Sequence, residues 1–154
     1  MSNAMKVPAR WHLEDDERPW TMNSERSWHW SKRAMRTKST REKFFYLAKI
    51  EKVPQLEYVQ IDVIPLYKGG GVKADTGSHF PSAKAAIDGI VDAGVIPDDS
   101  GKHIQKLVFW SPIDSAHDGL RLVITDKGQR KENNNRNKSS GATRNSTHHK
   151  RAIR

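Results

Sequence analysis

The stretch Leu56-Glu-Tyr-Val59-Gln-Ile61-Asp-Val63-Ile-Pro-Leu-Tyr67 decides the fold: Val59, Ile61 and Val63 fall on one side, Tyr58, Gln60 and Asp62 on the other. Successive side chains of a strand point to opposite faces, so this alternation predicts a half-buried strand following the break at Pro54. Downstream, Gly69-Gly70-Gly71 reads as a flexible connection, because it lacks the Lys-Ser/Thr pair and the strand-to-helix context of a phosphate-binding loop. Phe80, Ala83, Ile87, Ile90 and Val91 then recur at helical spacing and predict an apolar stripe, while Lys84, Asp88 and Asp92 lie at i, i+4 and i+8 on another face. Gly94 supplies a C-cap ahead of the turn Pro97-Asp98-Asp99-Ser100-Gly101. Two further alternating runs, Ile104 to Trp110 and Leu120 to Thr125, read as strands. The polar loop between them, with Pro112 and Asp118-Gly119, suggests that they pair antiparallel.

Working towards the N-terminus, residues 24–52 favour helix, with Ala34, Phe45, Leu47, Ala48 and Ile50 apolar among nine basic groups. One or two basic amphipathic helices are expected there. Trp11-His12-Leu13 is an edge strand ahead of a solvated acidic loop, Glu14 to Glu17. The order strand, helix or helices, strand, helix, strand, strand argues for a small α+β domain: a mostly antiparallel or mixed sheet with helices on one face.

The chain has 154 residues, enough for one domain with a tail. The domain is assigned to 5–126 and a basic disordered tail to 127–154, with residues 1–4 an expression-tag remnant. No apolar run approaches the roughly 18 residues of a membrane span, and no secretory apolar region opens the chain, so a soluble, non-secreted protein is expected. With no cysteine, disulfides, thiolate nucleophiles and Cys-ligated zinc are excluded, and any metal must be held by carboxylates or imidazoles. The formal charge of +9 is uneven: residues 1–23 carry −1, 24–52 carry +6, 53–127 carry −3 and 128–154 carry +7. The tail is either a salt-sensitive arm on phosphates or simply a solvated end.

Residues with chemical potential gather between 75 and 99: Asp75 after the glycines, His79 at the helix start, Lys84 in the helix, Asp98-Asp99 beyond it. Phosphodiester hydrolysis assisted by Mg²⁺ needs converging carboxylates, because the cation must neutralise the phosphate and acidify the attacking water. The same residues equally suit turns and an exposed helix pair. Trp28 and Trp30, interleaved with Lys32 and Arg33, suit either stacking on unpaired bases or packing in a core or interface, and Trp110 reads as structural.

The string Lys84-Ala-Ala-Ile-Asp88-Gly-Ile-Val-Asp92-Ala-Gly94-Val-Ile-Pro-Asp98-Asp99 resembles the central signature of the RusA-type Holliday junction resolvases, an Asp-rich loop, a Lys-x-x-x-Asp-x-Leu-x-x-Ala-Gly helix and a paired Asp-Asp. Asn23 to Arg26 and His29-Trp30-x-Lys32-Arg33 through Arg41 resemble the family's basic N-terminal segment. The resemblance covers residues 18–126. It implies a RusA-like fold, a homodimer, and a Mg²⁺-dependent endodeoxyribonuclease, Mn²⁺ being possible, that cuts four-way junctions or related branched DNA in recombination and repair. The implied setting is the cytoplasm of a bacterial or phage-infected cell, away from membranes.

By that resemblance Asp75, Lys84 and Asp99 are catalytic, Asp75, Asp98 and Asp99 hold metal, and Lys32, Arg33, Arg36, Lys38 and Arg41 bind DNA phosphates. The chain departs from the family in the loop before the helix: the usual Asp-x-Asp-Asn lies six residues before the lysine, whereas Asp75 lies nine residues before Lys84 and has no second Asp nearby. Either His79 or a water replaces the missing ligand, or the metal site is incomplete. The competing expectations are therefore a branched-DNA binding protein without catalysis and, from a third class, a small basic interaction protein.

Overall fold

The computed structural model describes residues 7–70 and 74–132, leaving the tag remnant and most of the tail assignment outside the described residues. The elements are β1 (Arg10–Glu14), α1 (Met22–Arg26), α2 (Trp30–Ile50), β2 (Val59–Lys68), α3 (Phe80–Asp92), β3 (Ile104–Phe109), β4 (Ile113–Ser115) and β5 (Gly119–Asp126). Together they form an α+β fold with one mixed sheet of five strands in the order β1-β5-β2-β3, β4 pairing with β2 beyond β3. No helix among the described residues is long and apolar enough to cross a membrane.

The alternation in β2 has the predicted outcome. Val59, Ile61 and Val63 are all 0% exposed and join Leu13, Phe44, Ala83, Ile87, Ile90, Leu122 and Ile124 in the core, so α2 and α3 cover that face of the sheet. The register puts Ile61 opposite Ile124 and Val63 opposite Leu122, building apolar cross-strand pairs. Beyond Val63 the strand is buried on both faces, through Ile64 and Leu66 as well as Tyr67. β1 is the edge strand expected at Trp11 to Leu13, antiparallel to β5.

The expected antiparallel pairing of β3 with β5 is overturned: β2 lies between them, parallel to β3 and β4 and antiparallel to β5. β3 and β4 flank β2 in succession, interrupted at Trp110 to Pro112. Pro65 explains where the interruption falls. The Val63 carbonyl accepts from the Trp110 amide at 3.0 Å, so odd-numbered residues of β2 turn their backbone groups toward β3 and β4. Pro65, which has no N–H to donate, therefore meets the gap between those two strands. The chain then rounds the end of β2, where the Asp118 carboxylate accepts from the Lys68 amide at 2.9 Å, and returns as β5 on the other side.

α2 is a single helix of 21 residues after the one-turn α1, and it buries only Thr40, Phe44 and Ala48, a seam at i, i+4 and i+8. α3 is the more deeply embedded helix, with Ser82, Ala83, Ala85, Ala86, Ile87, Gly89 and Ile90 buried. The two approach backbone to backbone at Gly89, where a Cβ would lie 2.3 Å from the Arg41 carbonyl oxygen. Only glycine fits there. Gly94 follows the helix with φ 81°, as a C-terminal cap requires. Phe80 departs from the predicted stripe: it opens α3 with 46% of its surface exposed.

Candidate functional site

Lys84 lies on the solvent side of α3, one turn from Asp88, and its Nζ donates to Asp88 Oδ1 and to Asp99 Oδ2, both at 2.6 Å. The i, i+4 spacing brings the first carboxylate. The second comes from the turn after Gly94, which folds back along the helix, so residues 15 apart in sequence meet. Partial burial opposes the ammonium charge, but the hydrogen bonds to Asp88 and Asp99 outweigh it and hold Lys84 above the ordinary lysine range. At neutral pH Lys84 is a cation, suited to phosphate oxygens and not to proton abstraction.

Asp98 points elsewhere. Its Oδ1 accepts from the Ser100 amide at 2.8 Å and its Oδ2 lies 3.9 Å from His103 Nε2. Hydrogen bonds from Ser100, side chain first and then backbone, keep this carboxyl below its usual range. Asp98 thus shapes the turn that presents Asp99. Asp75 is exposed, with its carbonyl accepting from the Ser78 amide at 3.0 Å in the turn leading to α3.

His79 is only 1% exposed, and its Nε2 lies 2.6 Å from the Tyr67 hydroxyl. Burial lowers its pKa to about 4, so the ring is neutral across the physiological range. Whichever partner donates, Nε2 is taken by Tyr67 and is turned into the protein. The Arg18 guanidinium lies over the Tyr67 ring at 4.3 Å and bonds Asp118, closing this pair from outside. Among the described residues no three His, Asp or Glu side chains converge as a metal-holding group. Around Lys84 the pair Asp88 and Asp99 converges. Mg²⁺ is commonly held by one or two carboxylates with waters and substrate phosphates completing its shell, and that donor set fits here.

The basic residues are divided in use. Arg33 pairs with Glu25 at 3.1 Å, Arg36 with Glu17 at 3.2 Å, and Arg41 with Asp92. Lys32 sits 4.5 Å over the Trp28 ring, while Lys38 makes no ion pair among the described residues. Trp28 packs against Trp20 at 6.0 Å and beside Arg36, which answers its reading as a packing residue; Trp30 is 73% exposed. Trp110, just past β3, is half exposed and donates Nε1 to Asp62 at 2.9 Å.

In the sequence Asp88 stands out only as a helix partner of Lys84, and neither the Tyr67–His79 pair nor the Phe80–Phe109 contact, whose ring centroids are 6.2 Å apart, is visible there. The i, i+4 spacing was a usable signal for Asp88. No sequence signal joins Tyr67 to His79 or Phe80 to Phe109, which meet only through the sheet order.

The molecule is a small α+β domain carrying a lysine–carboxylate cluster on the outer face of its central helix. Compared with protein-family models, curated proteins and solved structures, the chain matches none.

Proposed function

We propose that the protein is a metal-dependent endodeoxyribonuclease of the RusA type acting on four-way junctions or other branched DNA as a homodimer. The observation that supports this reading best is the Lys84 bridge to Asp88 and Asp99, which draws the resolvase-like string of residues 84–99 into one exposed cluster. Asp99 and Asp88 would hold Mg²⁺, with Asp75 approaching from the loop before α3. The chemistry supplied by the bound cation is neutralisation of the scissile phosphate and acidification of a water. Lys84 would place its ammonium on the phosphoryl oxygens. Lys32 and Lys38, with the paired Arg33, Arg36 and Arg41, contact flanking phosphates, so binding weakens as salt rises. The cytoplasm of a bacterial or phage-infected cell is where such a substrate arises.

One observation favours a second reading, a branched-DNA binding protein that does not cut: the described residues bring only two carboxylates together, and His79 is committed to Tyr67. Incubation of a synthetic four-way junction with Mg²⁺ or Mn²⁺ separates the two. Nicking that Asp99→Asn abolishes and that Lys84→Met lowers by roughly a hundredfold supports the nuclease. Binding without nicking by the unaltered protein supports the second reading. Asp88→Asn and Asp75→Asn then tell which carboxylate completes the site, and light scattering tests the dimer.

A further inference from the structure

The outer face of α3 does not end at its charges. Phe80, Lys84 and Asp88 occupy i, i+4 and i+8, so one strip begins with an exposed aromatic ring and continues into the half-buried lysine–carboxylate cluster. Phe80 is 46% exposed, and the ring behind it, Phe109 at the end of β3, is partly buried and packed against the core. The two rings are tilted by 41° with centroids 6.2 Å apart, so Phe109 flanks Phe80 on one side while nearly half of the Phe80 surface stays open to solvent. Pro81 at the start of the helix further limits the backbone beneath it. Cβ atoms at i and i+4 lie about 5–6 Å apart, so Phe80 adjoins Lys84 along this face of the helix.

We propose that Phe80, backed by Phe109, is a stacking seat for an unpaired nucleobase next to the phosphate held at Lys84. This rests on the nuclease reading and narrows its substrate to DNA with an unstacked base at the reacting phosphate, the condition met at a branch point and absent from continuous duplex. Stacking suits such a role because every base presents a π-face, so branch structure is selected without base identity. The other exposed aromatics have weaker claims. Trp30 and Tyr46 stand on α2, and Trp110 is tied to Asp62 on the sheet face opposite the helices.

The test uses single-stranded oligonucleotides and four-way junctions carrying 2-aminopurine, placed within the single strand or in the base pairs flanking the branch point, without divalent metal so that cleavage does not enter. Unaltered protein should quench the probe. Phe80→Leu, which keeps an apolar side chain but loses the aromatic face, should remove the quenching and weaken binding to both probes by about tenfold, leaving continuous duplex unaffected. Phe80→Trp should restore both. Thermal melts of each variant verify folding. Unchanged quenching in Phe80→Leu, an equal loss on duplex, or no binding to the single-stranded and junction probes overturns the seat. Phe80-dependent quenching together with no nicking in Mg²⁺ or Mn²⁺ upholds the seat and rejects the nuclease. Nicking that depends on Asp99 with quenching indifferent to Phe80 does the reverse.

Discussion

α2 and α3 pack together and present opposite uses of charge. α2 belongs to the segment of +6, yet most of its cations face acids or carbonyls of the same molecule: Arg36 and Lys43 reach Glu17, Arg41 reaches Asp92, and Lys49 Nζ donates to the Ala93 carbonyl at 2.9 Å. α3 carries a single lysine, and that lysine sits between two carboxylates on an open face. The basic excess thus serves in large part to dock a helix that buries only three residues. A charge count locates the helix that needs fastening, whereas the chemistry lies on the helix that is already secured by its core.

The largest test of that contrast is Phe44→Ala. Phe44 is the largest side chain in the α2 seam and fully buried, so its truncation should cost about 3–5 kcal/mol, read by denaturant unfolding. A loss under about 1 kcal/mol would mean that ionic contacts, not the seam, hold α2 in place.

Next in size is the pH dependence of His79. Its folded pKa of about 4 lies below the ordinary 6.5, so the unfolded chain binds a proton that the folded one does not in that window. Stability from this group is complete above pH 6.5 and falls as pH drops toward 4, by on the order of 3 kcal/mol in total. Unfolding measured across that range should show the slope of one extra proton relative to His79→Gln. Parallel curves for the two proteins would refute the assigned burial of a neutral imidazole.

Gly89→Ala follows. On an exposed helix this change adds about 1 kcal/mol of stability through helix propensity. Here the new Cβ would meet the Arg41 carbonyl oxygen at 2.3 Å, and backbone cannot swing aside like a side chain. The clash should win, with a net loss of about 1–3 kcal/mol. A stabilised variant would show that α2 and α3 can separate freely.

How much of this was legible follows from what periodicity encodes. Alternation at Val59, Ile61 and Val63 reports which face is buried, and Gly94 reports where a helix stops, because both are local consequences of backbone geometry. Pairing is not local. The loop from β3 to β5 looks like a hairpin connection in sequence, but β2 with its Pro65 takes the place between them. The cluster was half readable for the same reason: Asp88 is fixed by helical spacing, and Asp99 was marked by its resemblance, but their shared contact on Lys84 depends on the path of the turn. Phe80 was misplaced because an aromatic at helical spacing usually faces the core, and the pattern cannot show that its position falls at the rim.

The smallest effect sharpens the comparison most. Arg41–Asp92 and Lys84–Asp99 are both ion pairs with side chains between about two-fifths and one-half exposed, one fastening α2 to α3 and the other joining α3 to its following turn. Solvent screening limits each to a few tenths of a kcal/mol up to about 1 kcal/mol in a double-mutant cycle of stability. The two pairs are therefore near equals as structural contacts. Cleavage should separate them: Arg41→Met, which also gives up one flanking phosphate contact, lowers nicking of a four-way junction by about threefold, while Lys84→Met lowers it by roughly a hundredfold at comparable stability. Equal losses in both variants would place the value of Lys84 in the fold and remove it from the chemistry.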